Sequence, residues 1–431
     1  MTADHIQDLA RFVEASPSSF HAVAEEGRRL NEAGFTQLQE ADDWNAPKRK
    51  TTKGAGRHYV VRDGAIIAWI QPANATATTP FRILGAHTDS PGFKLKPKPT
   101  IGSEGWLQAG VEVYGGPLLN SWLDRELELA GRIVFTDGTT SLVRTGPFLR
   151  FPQLAIHLDR EVNDKLTLKR QTHMNPIYGL GDRADADLVG HLASLAGRRK
   201  AKPADVAGYD ISVADTAPPA VFGQDGAFFA SGRLDNLSSV HSGLTALLRL
   251  GDRHAHIPMF AAFDHEEVGS ATRSGASGPF LADILTRVGA GLGASDTDRM
   301  RAFADSWCLS ADAGHAVHPN YPERHDPANR PLLNGGPLLK INANQRYATD
   351  AMGAAEWARA CAQAMVGYQE FVSNNDVPCG STIGPLTATR LGIRTIDVGV
   401  PLLSMHSARE LCGVEDPAAF TAAIEAFLAP A

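Results

Sequence analysis

Cysteine is scarce in this chain: four residues in 431, Cys308, Cys361, Cys379 and Cys412, with no CxxC pair among them. That leaves no disulfide framework and no thiolate zinc site to expect, and it suits a reducing compartment. Long apolar runs are missing too, none approaching the roughly 18 residues that a membrane-spanning helix requires. Positive charge is neither abundant nor clustered. Lys and Arg number 41 against 48 Asp and Glu, a net charge of −7, and no basic cluster is present to track a phosphate backbone. Neither nucleic acid nor a membrane is expected as a partner. The first residues carry Asp4 and Asp8 and lack the basic start and apolar core of an export signal, so a cytoplasmic location is expected. Internal repeats and low-complexity tracts are absent as well. What remains is ordinary globular composition, 43% hydrophobic and 21% charged, at a length suited to roughly two to three domain-sized units. A core of that size needs no structural metal, so any metal here serves function.

Periodicity gives the organisation. Ile6, Leu9, Phe12 and Val13 recur at helical spacing, and Ser16-Pro17-Ser18-Ser19 reads as the cap of a second helix. A basic, glycine-containing turn is expected at 48–59, then a hairpin of 59–62 with 65–70 about Asp63-Gly64. Ile83-Leu84 reads as a strand ending at His87. From 92 to 220 the texture changes to short alternating runs such as 110–114 and 131–135, with a proline-rich patch at 216–219. This predicts an inserted, mostly β domain. A helix is expected at 237–250, followed by apolar runs at 257–263, 307–311 and 395–400 among Ala-rich helical stretches. Strands alternating with helices predict an α/β sheet. The expected division is 1–92 and 221–431 for the catalytic domain and 93–220 for the insertion. The stretch 275–305 reads as loop and helix, and 380–384 as a structural turn.

Several apolar runs stop at ionisable groups: His87, then Asp264-His265-Glu266-Glu267, then Asp312, then His406 shortly after 400. Ligands of open α/β sheets bind beyond the carboxyl ends of strands, so these termini converge on one crevice. Asp235 joins them from the start of the 237–250 helix, whose Leu237, Val240, Leu244 and Leu247 mark a buried face. His87, Asp235, Glu267, Asp312 and His406 form a sulfur-free donor set suited to a pair of Zn²⁺, Mn²⁺ or Co²⁺ ions. Three carboxylates and one hydroxide balance two divalent cations while both imidazoles stay neutral. Asp235, the helix-start ligand, is the expected bridge, and hydrolysis is the expected chemistry. Glu266 and Glu267 point to opposite sides of an extended backbone, so one binds while the other acts. Asp89 is placed to fix the tautomer of His87. Each residue alone has an ordinary reading: a core histidine, a solvated carboxylate pair, a helix N-cap.

The local wording is more specific. Gly85-Ala86-His87-Thr88-Asp89-Ser90-Pro91-Gly92, Arg233-Leu234-Asp235-Asn236, Asp264-His265-Glu266-Glu267-Val268-Gly269-Ser270 and Ser310-Ala311-Asp312-Ala313-Gly314-His315 resemble the M18 family of aspartyl aminopeptidases. So do Lys340-Ile341-Asn342, Gln345-Arg346-Tyr347-Ala348-Thr349, Cys379-Gly380-Ser381-Thr382-Ile383-Gly384-Pro385 and Ser404-Met405-His406-Ser407-Ala408-Arg409-Glu410. The resemblance runs from near residue 15 to the end, in the family's order. It implies a phosphorylase/hydrolase-like α/β sandwich with an inserted dimerisation domain. It implies removal of N-terminal Asp or Glu from peptides at a site of two zinc ions per subunit, with Mn or Co as substitutes in one position. The same five ligands follow from it, with Asp235 bridging and Glu266 as general base. It also implies a tetrahedral dodecamer in which His157, in Gln153-Leu154-Ala155-Ile156-His157-Leu158, reaches a neighbour's site. By pattern alone His157 is a strand residue without a role and Lys340 a solvent-facing strand lysine. The resemblance instead makes Lys340 the partner of the substrate carboxylate, with Tyr347 and His315 lining the same pocket. Two other readings remain: a two-metal aminopeptidase of broad or neutral preference, and a non-catalytic scaffold of the same fold.

Overall fold

The computed structural model describes residues 2–44, 56–197, 202–380 and 382–430, so most of the basic turn expected at 48–59 lies outside the described residues. A nine-stranded sheet runs in the order Thr36–Gln37, Gly56–Arg62, Ala65–Gln71, Ile257–Phe263, Phe81–His87, Trp307–Ala311, Arg394–Gly399, Leu338–Ile341, Gln369–Val372. Its four central strands, from Ile257–Phe263 to Arg394–Gly399, are mutually parallel. Strands buried on both faces read as continuous apolar runs, which is why all seven residues of Ile257–Phe263 are buried. Alternate residues feed two cores. Leu84, Ala86 and Phe260 join Leu244, Trp357 and Phe420 from helices on one face. Ile83, Met259 and Ala261 join Phe280, Ile284 and Ile383 on the other. The result is a three-layer α/β sandwich.

Register fixes where the chemistry lies. Phe263 pairs with His87, and Ala311 pairs with Val398, so these strands run out at one edge of the sheet. The helix Leu234–Arg249 packs on the neighbouring strands through Gly243, where a Cβ would stand 1.8 Å from Leu84 Cδ2. It begins three residues earlier than 237, and Asp235 sits in its first turn with non-helical φ −83° and ψ 101°.

A second, antiparallel sheet of six strands is drawn entirely from 92–215, in the order Thr140–Arg144, Leu127–Phe135, Val206–Asp215, Gly92–Ser103, Trp106–Tyr114, Ile177–Leu180. It carries its own core, including Phe93, Trp122, Leu129 and Phe151. A third sheet was not expected. It links Ala220–Phe222, Phe228–Ser231, Glu410–Gly413, Pro401–Leu403 and Gly314–His315. Two further differences are local. Ile383 and Gly384, expected in a turn, open the helix Ile383–Leu391, whose N-cap is Thr382. His157 lies in an exposed turn, closed by hydrogen bonds from the Leu158 and Asp159 amides to the Ala155 carbonyl, and not in a strand.

Candidate metal centre

Three tight turns carry the ionisable groups. Each holds a non-glycine residue in the left-handed region: Arg233 at φ 58°, two residues before Asp235; His265 at 65°, just before Glu266; and His406 itself at 66°. Such conformations cost on the order of 1–3 kcal/mol each and gather where surrounding structure enforces them at functional sites.

His87, Asp235 and Asp312 form one cluster and Asp235, Glu267 and His406 another, with the potential ligand atoms of each within 4.8 Å of one another. Asp235 belongs to both. Its Oδ1 lies 3.4 Å from His87 Nε2 and its Oδ2 3.4 Å from His406 Nε2. Asp312 Oδ1 completes the first cluster at 3.3 Å from His87 Nε2, and Glu267 Oε2 the second at 3.5 Å from His406 Nε2. Asp235 Oδ1 and Glu267 Oε1 are buried and accept no hydrogen bond. Buried carboxylate oxygens are seldom left so, and a divalent cation beside each would satisfy it. The donor set, nitrogen and oxygen without sulfur, fits zinc. A further grouping, His87 with Glu266 and Glu267, shares the same space.

The surrounding hydrogen bonds aim these groups. His87 Nδ1 donates to the Asp89 carbonyl at 3.0 Å, and His406 Nδ1 to the Gly116 carbonyl at 3.0 Å, leaving each Nε2 free for a cation. The Asp89 carboxylate accepts the Glu266 and Glu267 amides, each at 3.1 Å, and the Tyr114 hydroxyl at 2.7 Å. Glu410, 2% exposed, accepts the Asp235 amide at 2.9 Å and the His406 amide at 2.8 Å. Gly115, at φ 66°, lets the second sheet approach closely, since a Cβ there would lie 3.2 Å from Glu267 Cβ.

Crowded carboxylates set the electrostatics. Burial disfavours charge on His406, yet Asp235 and Glu267 hold its imidazolium up to about 10. His87 is likewise opposed by burial and raised well above its ordinary value by Asp235, Asp312 and Asp89. Burial pushes Glu266 up to about 7, with Asp312 and Asp235 adding and His87 opposing. Burial and the Asp235 charge raise Glu410, while the Asp235 and His406 amides it accepts, and the His406 charge, draw it back toward the carboxylate. A field that draws protons onto two imidazoles also draws divalent cations.

Sequence reasoning placed His87, Asp89, Asp235, Glu266, Glu267, Asp312 and His406 together, and the structure brings all seven into contact range. It does not bring His157 to this site: the whole run 152–158 is exposed. Lys340 is 1% exposed, not solvent-facing, and its ammonium donates to the Ala313 carbonyl at 2.7 Å and to Asp312 Oδ2 at 3.3 Å. It stands 5.3 Å from the ring of Tyr347. Tyr347 and the exposed His315 line a cavity of about 240 Å³ together with Arg324, Phe371 and Cys379. Glu410, Tyr114 and Gly116 were missed. Glu410 lies inside a recognisable run, but nothing in that run tells that its oxygens meet two backbone amides.

A mixed α/β sheet with a parallel centre, beside whose strand ends two histidines and several carboxylates gather, is the frame of a metal-dependent hydrolase. The chain belongs to the M18 family: the family described as aminopeptidase I zinc metalloprotease (M18) matches residues 12–428. A probable M18 family aminopeptidase 2 of Streptomyces coelicolor is 52% identical over 432 residues, covering 99% of this chain and 98% of that protein. Among solved structures, the one titled as the Ape4 and Nbr1 complex superposes with TM-score 0.93 at 34% identity, over 99% of this chain and 86% of that one. The mApe1 dodecamer of S. cerevisiae superposes with TM-score 0.85 at 26% identity, over 98% and 96%. The protein is thus a metallo-exopeptidase of the zinc aminopeptidase type. No helix of the described residues is long and apolar enough to cross a membrane.

Proposed function

We propose that this chain removes N-terminal Asp or Glu from peptides at a site of two zinc ions, with Mn or Co accepted in one position. The observation that carries the two-ion reading is the position of Asp235, whose two oxygens face two different donor sets at 3.4 Å each. Two divalent cations, when bound, supply Lewis acidity toward the scissile carbonyl and acidify water at neutral pH. His87 and Asp312 would hold the first and Glu267 and His406 the second, with Asp235 contributing to both. Glu266 is the general base: it takes the proton of the attacking water and delivers it to the leaving amine. Lys340 answers the substrate carboxylate, with Tyr347 and His315 lining the pocket. The residues 93–220 are read as the dimerisation domain between catalytic parts 1–92 and 221–431, and the assembly as a dodecamer. That assembly is supported by the dodecameric relative and by exposed Leu154, Ile156 and Leu158 around His157, which are 55%, 47% and 74% exposed. A cytoplasmic location is part of this reading, supported by four free cysteines.

One observation favours a second reading, a neutral or broad preference: the Lys340 ammonium already has two partners, Asp312 and Ala313. Initial rates on N-terminal Asp, Glu, Leu and Ala amides decide between them, taken before and after chelation and after zinc re-addition. The expected outcome is turnover of the acidic amides alone, abolished by chelator and restored by zinc. Restored activity that prefers Leu or Ala discards the acidic pocket, and inactivity on all four favours the scaffold.

A further inference from the structure

Asp235 and His406 arrive at the site on separate stretches of chain, 171 residues apart in number, and neither backbone amide is served by the element that carries it. Asp235 has non-helical φ and ψ inside its helix's first turn, and His406 is left-handed. Both N–H groups go to the same side chain, to Glu410 Oε2 at 2.9 Å and Oε1 at 2.8 Å. Glu410 in turn is fixed by register. It opens the strand Glu410–Gly413, where it pairs with Ser231, four residues before Asp235, and it stands four residues after His406. The third sheet thereby sets a buried carboxylate between the two turns that supply the bridging ligand and the second-cluster imidazole.

A carboxylate is the fitting group for this task. It presents two acceptors and no donor, whereas an amide of the same shape must turn an N–H₂ toward one of the N–H groups. Asp89 does the same on the opposite side, receiving the Glu266 and Glu267 amides on its two oxygens. The ligand turns are therefore held by two buried carboxylates, each spanning a pair of amides.

We propose that Glu410 is a positioning residue of the metal centre, fixing the Asp235 carboxylate against the His406 imidazole and so setting the affinity of the Asp235, Glu267 and His406 cluster for its cation. It touches neither substrate nor cation. The inference rests on the two-ion reading, and the experiment separates the two. Zinc binding to the full-length protein is titrated against a competing chelator, in wild type and Glu410→Gln. The wild type is expected to take two zinc ions. In E410Q one ion keeps its affinity and the other weakens on the order of 10- to 100-fold, the range typical of lost outer-shell partners. Excess zinc restores turnover, and cobalt substitution alters one of two visible absorption signatures. Unchanged affinity for both ions, or equal weakening of both, overturns the proposal. A wild type that takes one ion refutes the two-ion reading instead, and the proposal falls with it. Should E410Q fail to fold, as judged by circular dichroism and sedimentation, Glu410→Asp replaces it. That side chain, one methylene short, reaches a single amide and must show the same selective weakening.

Discussion

At Lys340 one ammonium serves two neighbours of different kinds. Asp312 turns Oδ1 toward His87 and Oδ2 toward Lys340, at 3.3 Å in each case, so the lysine charge acts on a proposed metal ligand as well as on the proposed substrate pocket. Lys340→Leu separates these roles. If the ammonium meets the substrate, kcat/KM for Asp amides falls about 10- to 100-fold more than for Leu amides, the worth of a charge-assisted hydrogen bond, while zinc content holds. Equal losses on both amides with lower zinc content mean that Lys340 acts through Asp312. Alternation alone misread this lysine. It makes Lys340 solvent-facing, but Lys340 is more buried than Ile341, because a strand covered on both sides has no solvent face for alternation to mark. His87 and Glu267 were legible for the opposite reason: an apolar strand that stops at an imidazole or a carboxylate marks its own sheet edge.

Among the elements, the helix Leu234–Arg249 and the strand Phe81–His87 must approach closely for Asp235 to meet His87. Gly243 permits this, and Gly243→Ala puts a methyl into Leu84 and Phe260. Overpacking of this kind costs about 1–3 kcal/mol, so thermal denaturation should begin several degrees lower in the variant. A second expectation concerns the strand Ile257–Phe263 and the last helix, Asp416–Leu428, which are joined by His256 Nε2 donating to the Leu428 carbonyl at 2.6 Å. Burial lowers this imidazole to about 4. Between about 6.5 and 4 the unfolded chain binds a proton that the folded one refuses, so the stability supplied by His256 is present above that window and lost as pH falls through it, at about 1.4 kcal/mol per pH unit. The stability difference between wild type and His256→Gln, from denaturant titrations, should therefore shrink between pH 7 and pH 5. A constant difference would mean that His256 is not held neutral.

The elements differ in how far the sequence announced them. The central parallel strands and the helix Leu234–Arg249 were plain from apolar runs and helical spacing. The third sheet was not, since its strands are two to four residues long, too short for any period. That sheet nevertheless orders both the Asp235 and the His406 turns, so the part of the site least visible in the sequence is the backbone that holds its ligands.

For the whole molecule, the exposed turn around His157 makes a sharp test of the proposed assembly. If a neighbour supplies His157 to each site, then His157→Ala and Glu266→Gln are each inactive as pure assemblies. Mixed, dissociated and reassembled, they should regain a measurable fraction of turnover, because some sites then hold a sound Glu266 and borrow a sound His157. No recovery in mixtures whose exchange is verified by differential mass labelling places His157 outside the reaction.

The second sheet is tied to the proposed metal centre at two points: Tyr114 donates to Asp89 at 2.7 Å, and the Gly116 carbonyl receives the His406 ring at 3.0 Å. A chain spliced from residue 91 directly to residue 221 would lose both ties along with its outer surface. Residues 1–91 and 221–431 are therefore not a portable module, and a minimal enzyme cut from this chain must keep that β-sheet.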